Sequence, residues 1–227
     1  MKGRIVLVTG ASGGLGTYVT QAFLETGATV IGTSRKIQQS DFTSADFTAM
    51  PGEISSRAGA QTIVDGVVAR FGRLDVLAHT VGGFAGGQSV TDTDDATFQR
   101  MLDLNLNSVF HILRATIPVL RKSSGRIIAI GSRAAVEPGP GVGAYSASKA
   151  AMLSLVKTVA AENRDAGVTA NVILPGTMDT PANRVAMPGA DFARWVQPAN
   201  VASLVVWLAS DAGKEITGAA IPVYGDV

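Results

Sequence analysis

The strongest constraint on the fold of this chain comes from a glycine-rich turn that directly follows an apolar run. The run IVLV at residues 5–8 is typical of a buried strand, and VTGASGGLG at residues 8–16 leads into a segment of helical period. Gly10 permits a tight turn, Gly14 lets a backbone approach a pyrophosphate, and Gly16 allows close packing of the helix. The turn therefore predicts a dinucleotide-phosphate site at a helix N-terminus.

Strand-like and helix-like segments alternate along the rest of the chain. The β-branched runs begin at Arg4, Ala28, Leu74, Gly125, Val168 and Ala219. Segments of helical period cover residues 18–25, 61–70, 96–120, 145–163 and 200–210. This alternation predicts an α/β fold: one doubly wound Rossmann-type domain over residues 1–227, with a parallel sheet flanked by helices on both faces. Between residues 35 and 61 the pattern allows at best one short strand and no clear helix.

Composition excludes several classes of function. The chain has 227 residues, 46% of them hydrophobic and 16% charged, with a net charge of +1. This is enough for a well-buried domain, and no charged block indicates a nucleic-acid or membrane partner. Cysteine is absent, and the two histidines, His79 and His111, lack ligand spacing. We therefore expect a metal-free cytoplasmic protein that acts on a small molecule.

The end of the second predicted strand bears on the choice of cofactor. A carboxylate there would accept hydrogen bonds from the ribose 2′-hydroxyl of NAD, but the sequence GTSRK places Ser34 and Arg35 at this point. A 2′-phosphate needs donors and positive charge, which both side chains offer. We predict a preference for NADP(H), with NAD(H) as the alternative. The competing interpretation of Arg35 is a solvated loop residue.

Tyr145 and Lys149 form a second candidate site. They stand four residues apart in the small-residue segment GAYSASKAAM, so a helix would place them on one face. A neighbouring cation would bring the tyrosine pKa, ordinarily roughly 10, towards neutrality. The pair is thus a candidate acid/base dyad. Taken alone it fits a surface pair better, and the other motifs have to decide.

Further polar residues occupy positions that need a reason. Ser132 ends the predicted strand RIIAIGS, where its hydroxyl would face a cofactor crevice. Asn105, in LDLNLNSVF, lies among apolar neighbours in a predicted helix; the alternative is a buried amide satisfied by backbone. The turn PGTMDT at residues 175–180 carries hydroxyls suited to hold an amide such as the nicotinamide carboxamide.

Together these motifs resemble the short-chain dehydrogenase/reductase (SDR) family. The matching features are TGxxxGxG at residues 9–16, the set of Asn105, Ser132, Tyr145 and Lys149, and PGxxxT at residues 175–180. The resemblance implies hydride transfer between a nicotinamide and a carbonyl or alcohol carbon. It assigns proton transfer to Tyr145, cofactor binding and lowering of the tyrosine pKa to Lys149, substrate positioning to Ser132, and a relay water to Asn105.

The resemblance also implies a set of cofactor-binding residues. They are Gly10, Ser12, Gly14, Leu15, Gly16, Ser34, Arg35, Val81, Gly82, Tyr145, Lys149, Pro175, Gly176, Thr177 and Thr180. Two segments depart from the family pattern. HTVGG at residues 79–83 replaces the usual Asn-Asn-Ala-Gly turn, and the chain closes on YGDV at residues 224–227.

A narrower resemblance is to the quinonoid dihydropteridine reductases within the same family. It is carried by GGFAGG at residues 82–87, PGPGVGAY at residues 138–145 and DTPANRVAMPGADFARW at residues 179–195. It implies a substrate lid at about residues 178–197, with Met187, Phe192 and Trp195 offering an apolar inner surface. Those reductases usually lack the serine and use NADH. Reduction of a quinonoid pterin or a quinone is therefore the alternative to carbonyl reduction.

A third function belongs to another class. A catalytically silent NADP-binding redox sensor would use the same glycine loop, but it has no reason to keep Asn105, Ser132, Tyr145 and Lys149 together. The family resemblance further implies a homodimer or homotetramer, with His111 and Leu155 at an interface.

Overall fold

The computed structural model describes residues 1–226; Val227, the last residue of the predicted domain and of the YGDV segment, lies outside the described residues. The strands of this part of the chain are β1 (Ile5–Thr9), β2 (Thr29–Thr33), β3 (Phe47–Ala49), β4 (Val76–His79), β5 (Arg126–Ile130), β6 (Thr169–Pro175) and β7 (Ala220–Val223). They form one sheet in the order β3-β2-β1-β4-β5-β6-β7, and every neighbouring pair is parallel.

Helices connect the strands. They are α1 (Gly16–Glu25), α2 (Arg57–Phe71), α3 (Asp95–Leu102), α4 (Ser108–Leu120), α5 (Gly143–Glu162), α6 (Pro181–Ala186) and α7 (Pro198–Ala209). The predicted helix over residues 96–120 is interrupted, because a π-helical turn at Asp103–Asn107 joins α3 to α4. Such turns insert one extra residue into a helix and often mark functional sites.

Side-chain alternation along the strands sends residues to two hydrophobic layers. Leu7, Leu77 and Ala129 pack in one layer with side chains of α2, α4 and α5. Their neighbours in the strands, including Val8 and Ala78, pack in the other layer with side chains of α1 and α7. Helices therefore cover both faces of a parallel sheet, and the predicted doubly wound α/β fold is confirmed.

The weakly patterned region between residues 35 and 61 contains one short strand, as predicted. β3 spans three residues and is preceded by the 3-10 turn Gln39–Asp41. α2 begins earlier than its predicted start at residue 61, because Ser56 caps it by accepting a hydrogen bond from the Gly59 N–H. The first turn of α2 has little apolar periodicity, so its start depended on the cap rather than on hydrophobic spacing.

Residues 1–226 contain neither a candidate membrane-spanning helix nor a candidate metal-binding cluster. Within that range, no helix combines the length and apolarity needed to cross a bilayer. The same residues contain no group of three or more His, Cys, Asp or Glu side chains placed to hold a metal ion.

We predict that Gly16→Ala destabilises the fold. A Cβ on Gly16 would lie 2.0 Å from the Gly10 carbonyl oxygen, so the glycine loop or the start of α1 would have to move. Overpacking of this kind costs about 1 to 3 kcal/mol of unfolding free energy. Chemical denaturation of Gly16→Ala and Gly139→Ala measures it, because a Cβ on Gly139 would meet nothing within 4 Å. Equal stability of the two variants would contradict the prediction.

Candidate active site

The carboxyl ends of the strands meet at one edge of the sheet, and the candidate residues lie there. A Cβ on Gly10, after β1, would lie 2.9 Å from the Thr80 hydroxyl after β4. A Cβ on Gly14 would lie 3.3 Å from the side chain of Thr180, which follows β6. Loops far apart in the sequence thus border one crevice, and glycine keeps the space between them open.

The glycine loop has the backbone geometry expected of a tight turn. Gly10 has a φ of 76°, a left-handed conformation that favours glycine. Its N–H donates to the Thr33 carbonyl at 2.7 Å, and its own carbonyl accepts from the Gly13 N–H at 2.8 Å. Leu15, buried at the N-cap of α1, anchors the end of the loop in the core.

Two serine hydroxyls meet beside this loop. Ser12 Oγ lies 2.7 Å from Ser34 Oγ, so the end of β2 and the glycine loop share a hydrogen bond. Arg35 is exposed, with its Nε 4.0 Å from a Glu53 carboxylate oxygen. The two hydroxyls and the exposed guanidinium are hydrogen-bond donors at the end of β2. Glu53 was not a predicted site residue, because its segment gives no clear pattern in the sequence.

Ser132 and Tyr145 come together above the end of β5. The Ser132 hydroxyl is close enough to the Tyr145 phenol to lower the pKa of that phenol. Ser132 Oγ also accepts from the Ala134 N–H at 3.2 Å. The Phe84 ring packs edge-on against Tyr145, with centroids 4.9 Å apart. Thirteen residues of sequence therefore separate two hydroxyls that form one pair in the structure.

Lys149 is buried one helical turn beyond Tyr145. Its side chain is 5% exposed, and its Nζ donates to the Ile130 carbonyl at the end of β5 at 3.0 Å. Burial lowers the pKa of Lys149 from 10.5 to about 8, because the charged form loses its hydration. The ammonium thus stands beside the strand end, and the interpretation of a solvated surface pair is wrong for this lysine.

The pKa of Tyr145 differs from the one predicted for an acid/base dyad. Burial raises it above its ordinary value of 10.0, and the Ser132 hydrogen bond partly offsets that increase. The Lys149 ammonium is not among the causes of the shift in this cofactor-free protein. The two residues share a helix face as predicted. The expected lowering of the tyrosine pKa towards neutrality is absent in this state.

Asn105 lies in the π-helical turn and is fully buried. Its amide group exchanges two hydrogen bonds with the Gly83 backbone, donating to the carbonyl at 3.0 Å and accepting from the N–H at 2.9 Å. It also donates to Ser148 Oγ at 3.0 Å. The side chain is therefore engaged in joining the loop after β4 to α5. Asn105 therefore fits the second interpretation of its sequence context, a buried amide whose hydrogen bonds are made largely to backbone.

The loop after β4 passes close to the buried lysine. A Cβ on Gly82 would lie 2.9 Å from Asn105 Oδ1 and 3.0 Å from Lys149 Nζ, so only glycine fits without displacing them. Val81 is half-buried and packs on the core. Gly82 thus leaves the crevice open beside the lysine.

The PGTMDT turn forms the opposite wall. Pro175 ends β6, and the Gly176 N–H donates to the Val223 carbonyl at 2.9 Å. The Thr177 carbonyl accepts from the Val196 N–H at 2.9 Å. Thr180 Oγ1 caps α6 by accepting from the Asn183 N–H, which leaves the hydroxyl proton free to donate to a ligand.

The predicted lid over residues 178–197 folds back on itself. Arg184 pairs with Asp179 through two hydrogen bonds of 2.5 and 2.8 Å, and its guanidinium lies 4.7 Å from the centroid of the Phe192 ring. Phe192 in turn packs against Trp195, which is buried. Met187 is 41% exposed. The Asp179–Arg184 pair was not predicted.

A cavity of about 380 Å³ opens beside Tyr145. Its lining includes Phe84, Gln88, Thr97, Arg100 and Gly143. The wall is therefore mostly polar, with one aromatic ring. None of these lining residues was predicted as a site residue, because nothing in their spacing marks them and only the fold brings them together around one cavity.

We predict that the stability contributed by Lys149 increases with pH. The folded protein binds the lysine proton less tightly than the unfolded chain does, with a pKa of about 8 against 10.5. Between those values the unfolded state carries the extra proton, so stability rises by up to about 1.4 kcal/mol per pH unit. Wild type and Lys149→Met are denatured at pH values between about 8 and 10. The unfolding free energy of wild type should rise with pH relative to that of the variant.

Lys157→Met is the matched control, because Lys157 is an exposed lysine on the same helix. Its stability should follow wild type over the whole pH range. Parallel pH profiles for wild type and Lys149→Met would show that the buried amine keeps its ordinary pKa.

Comparisons with known proteins agree with this geometry. The family model of the short chain dehydrogenases matches residues 4–190. The chain is 32% identical to a rhamnolipids biosynthesis 3-oxoacyl-[acyl-carrier-protein] reductase of Pseudomonas aeruginosa, over 99% of this chain and 96% of the relative. It is 31% identical to the L-fucose dehydrogenase of Mus musculus, over 99% and 90%.

A solved structure has the same fold over nearly the whole chain. The Pseudomonas aeruginosa RhlG/NADP active-site complex aligns with a TM-score of 0.91 at 30% identity, covering 99% of this chain and 96% of that one. With the family model matching most of its length, the chain belongs to the short-chain dehydrogenase family and is an NAD(P)-dependent oxidoreductase.

Proposed function

We propose that this protein is an NADP(H)-preferring oxidoreductase that interconverts a carbonyl and an alcohol at Ser132, Tyr145, Lys149 and Asn105. The observation that carries the proposal is the proximity of the Ser132 and Tyr145 side chains at the carboxyl end of β5, where Ser132 lowers the pKa of the phenol. Two hydroxyls held close together can both donate to one carbonyl oxygen.

Each residue has a role that follows from its contacts. Tyr145 donates the proton to the carbonyl oxygen, and Ser132 holds that oxygen in place. The bond from Lys149 to the Ile130 carbonyl fixes its ammonium near the crevice, where it can bind ribose hydroxyls. Asn105 positions the loop after β4 through the Gly83 backbone. When bound, the nicotinamide supplies the hydride.

The residues present fit a dinucleotide. Gly14 and Gly82 let the backbone pass close to the side chains of Thr180 and Lys149, and a pyrophosphate and a nicotinamide ribose require glycines at such points of close approach. Ser12, Ser34 and Arg35 would hold the 2′-phosphate. The NADP in the solved RhlG complex supports the preference for NADP(H), and NAD(H) stays the alternative.

Substrate class is the finer part of the proposal. A carbonyl substrate is favoured because Ser132 is present and paired with Tyr145, and because the relatives include an oxoacyl reductase and a sugar dehydrogenase. A quinonoid pterin or quinone is the second candidate, favoured by the exposed Phe84 ring on Tyr145, which could stack on a flat substrate. A catalytically silent redox sensor has no need of the paired hydroxyls.

Assembly and location belong to the same proposal. We propose a homodimer or homotetramer formed through α4 and α5, where His111 and Leu155 are half-buried and Phe110 is 43% exposed. A cytoplasmic location is supported by the absence of cysteine from the chain.

We predict that Tyr145→Phe lowers turnover by roughly two to four orders of magnitude, because it removes the general acid. NADPH binding should change little, since the phenol ring stays in place. The assay follows NADPH oxidation by wild type and variant with a 3-oxoacyl thioester, a ketone, an aldose and a quinonoid dihydropterin. Near wild-type turnover in Tyr145→Phe would refute the proposed site.

Ser132→Ala in the same assay separates the two substrate classes. A carbonyl substrate depends on both hydroxyls, so the variant should lose much of its turnover. A quinonoid pterin is protonated on nitrogen, so Ser132→Ala should reduce it almost as fast as wild type does.

We predict that Arg35→Ala weakens NADPH binding by about one to two orders of magnitude, the value of one charge-assisted hydrogen bond. NADH binding should hardly change, because NADH lacks the 2′-phosphate. Ser34→Asp should move the preference towards NADH, since a carboxylate repels the phosphate and accepts from a ribose diol. Calorimetric titration of both cofactors measures this. Equal weakening of both cofactors in Arg35→Ala would show that the arginine does not read the phosphate.

A further inference from the structure

His79 is a buried imidazole with one nitrogen unused. The residue is 1% exposed at the end of β4, and its Nδ1 lies 2.8 Å from Thr9 Oγ1. Its Nε2 is also buried and has no hydrogen-bond partner among residues 1–226. Buried polar atoms nearly always have a partner in protein or ordered water, so this nitrogen calls for an explanation.

The sheet directs His79 towards the buried lysine. Leu77 points into the layer beneath α2, α4 and α5, and residues two apart on a strand share a face, so His79 points there too. His79 pairs in register with Ala129, the residue before Ile130. Lys149, from α5, reaches the Ile130 carbonyl on this side of the sheet. The imidazole and the ammonium therefore occupy the same interior region.

Lys149 also has unused hydrogen-bonding capacity. An ammonium has three N–H donors, and within residues 1–226 the Nζ of Lys149 pairs only with the Ile130 carbonyl. The lysine charge acts on the imidazole as well. Burial and, after it, the Lys149 ammonium lower the pKa of His79 to about 3. His79 is therefore neutral under assay conditions and has one lone pair to offer.

We propose that the Lys149 ammonium donates a hydrogen bond to a buried water and that this water donates one to His79 Nε2. His79 is then a positioning residue for Lys149. Water is the natural bridge, because the two groups face one interior region and do not bond directly. Only the expected effect of this water-mediated pair on turnover rests on the proposed function. The water-mediated pair itself exists without substrate or cofactor.

The proposal fixes the tautomer of His79. A nitrogen near an ammonium is better served by a lone pair than by an N–H, so Nδ1 carries the proton and donates to Thr9 Oγ1. Thr9 and His79 stand opposite each other on β1 and β4, which holds the ring in this orientation. His79 belongs to the HTVGG segment at residues 79–83, which departs from the usual turn of the family that the chain resembles.

Nitrogen NMR of the cofactor-free protein labelled at its histidine ring nitrogens tests the pair. The chain has only two histidines, and His111→Gln assigns the signals. We expect a neutral His79 with the proton on Nδ1 and an Nε2 resonance that shifts in Lys149→Met. The control Lys157→Met removes an exposed lysine of the same helix and should leave that resonance in place. A proton on Nε2, or an Nε2 resonance indifferent to Lys149→Met, would overturn the proposal.

Kinetics test the consequence for turnover. His79→Leu should lower turnover about tenfold, the effect of losing one hydrogen bond to a charged group. His79→Gln, whose amide oxygen can reach the position of Nε2, should restore most of it, which filling of the space alone would not explain. Failure of Gln to exceed Leu would count against the positioning role. Because the NMR experiment needs no substrate, its outcome stands apart from that of Tyr145→Phe.

Discussion

The parallel direction of all seven strands is the constraint on which the rest of the structure depends. Each strand must be followed by a crossover before the next can pair, so helices cover both faces and every carboxyl end lies at one edge. Residues distant in sequence therefore become neighbours there. Gly14 and Thr180 are separated by most of the chain, yet a Cβ on the glycine would lie 3.3 Å from the threonine side chain.

Burial of Lys149 is the main electrostatic cost of this arrangement. The ammonium loses its hydration and has the Ile130 carbonyl as partner, and its pKa falls accordingly. Burial also raises the pKa of Tyr145. The protein positions its acid and its cation in advance. The groups that stabilise their charges must come from the ligands and from any water held by neighbours such as His79.

Much of this could be predicted from the sequence. The glycine loop, the alternation of strands and helices, and the set of Ser132, Tyr145 and Lys149 are local patterns, because each depends on spacing within one element or turn. The π-helical turn at Asp103–Asn107 could not be predicted, since its period differs from that of a helix only over five residues. The Tyr145 pKa was predicted in the wrong direction, because burial depends on tertiary packing and outweighs the opposite effect of Ser132.

Contacts that form only through loops could not be predicted from local sequence patterns. Phe84 reaches Tyr145 because the loop after β4 packs on the segment before α5, where the Gly87 N–H donates to the Gly141 carbonyl at 2.8 Å. The Asp179–Arg184 pair is close in sequence, but it forms across the turn into α6 and not along a regular helix face. Sequence spacing carries no sign of either contact.

This division between elements and loops explains why family membership leaves the substrate open. The paired hydroxyls and the lysine lie on β5, its end and α5, where the core holds them. The groups that would touch the rest of a substrate, Phe84 and the lid, lie on loops that can change without disturbing the sheet. Relatives with similar coverage accordingly include both an oxoacyl reductase and a sugar dehydrogenase. On the proposed function, residues of the rigid frame would select the reacting carbon, and residues of the loops around it would select the rest of the substrate.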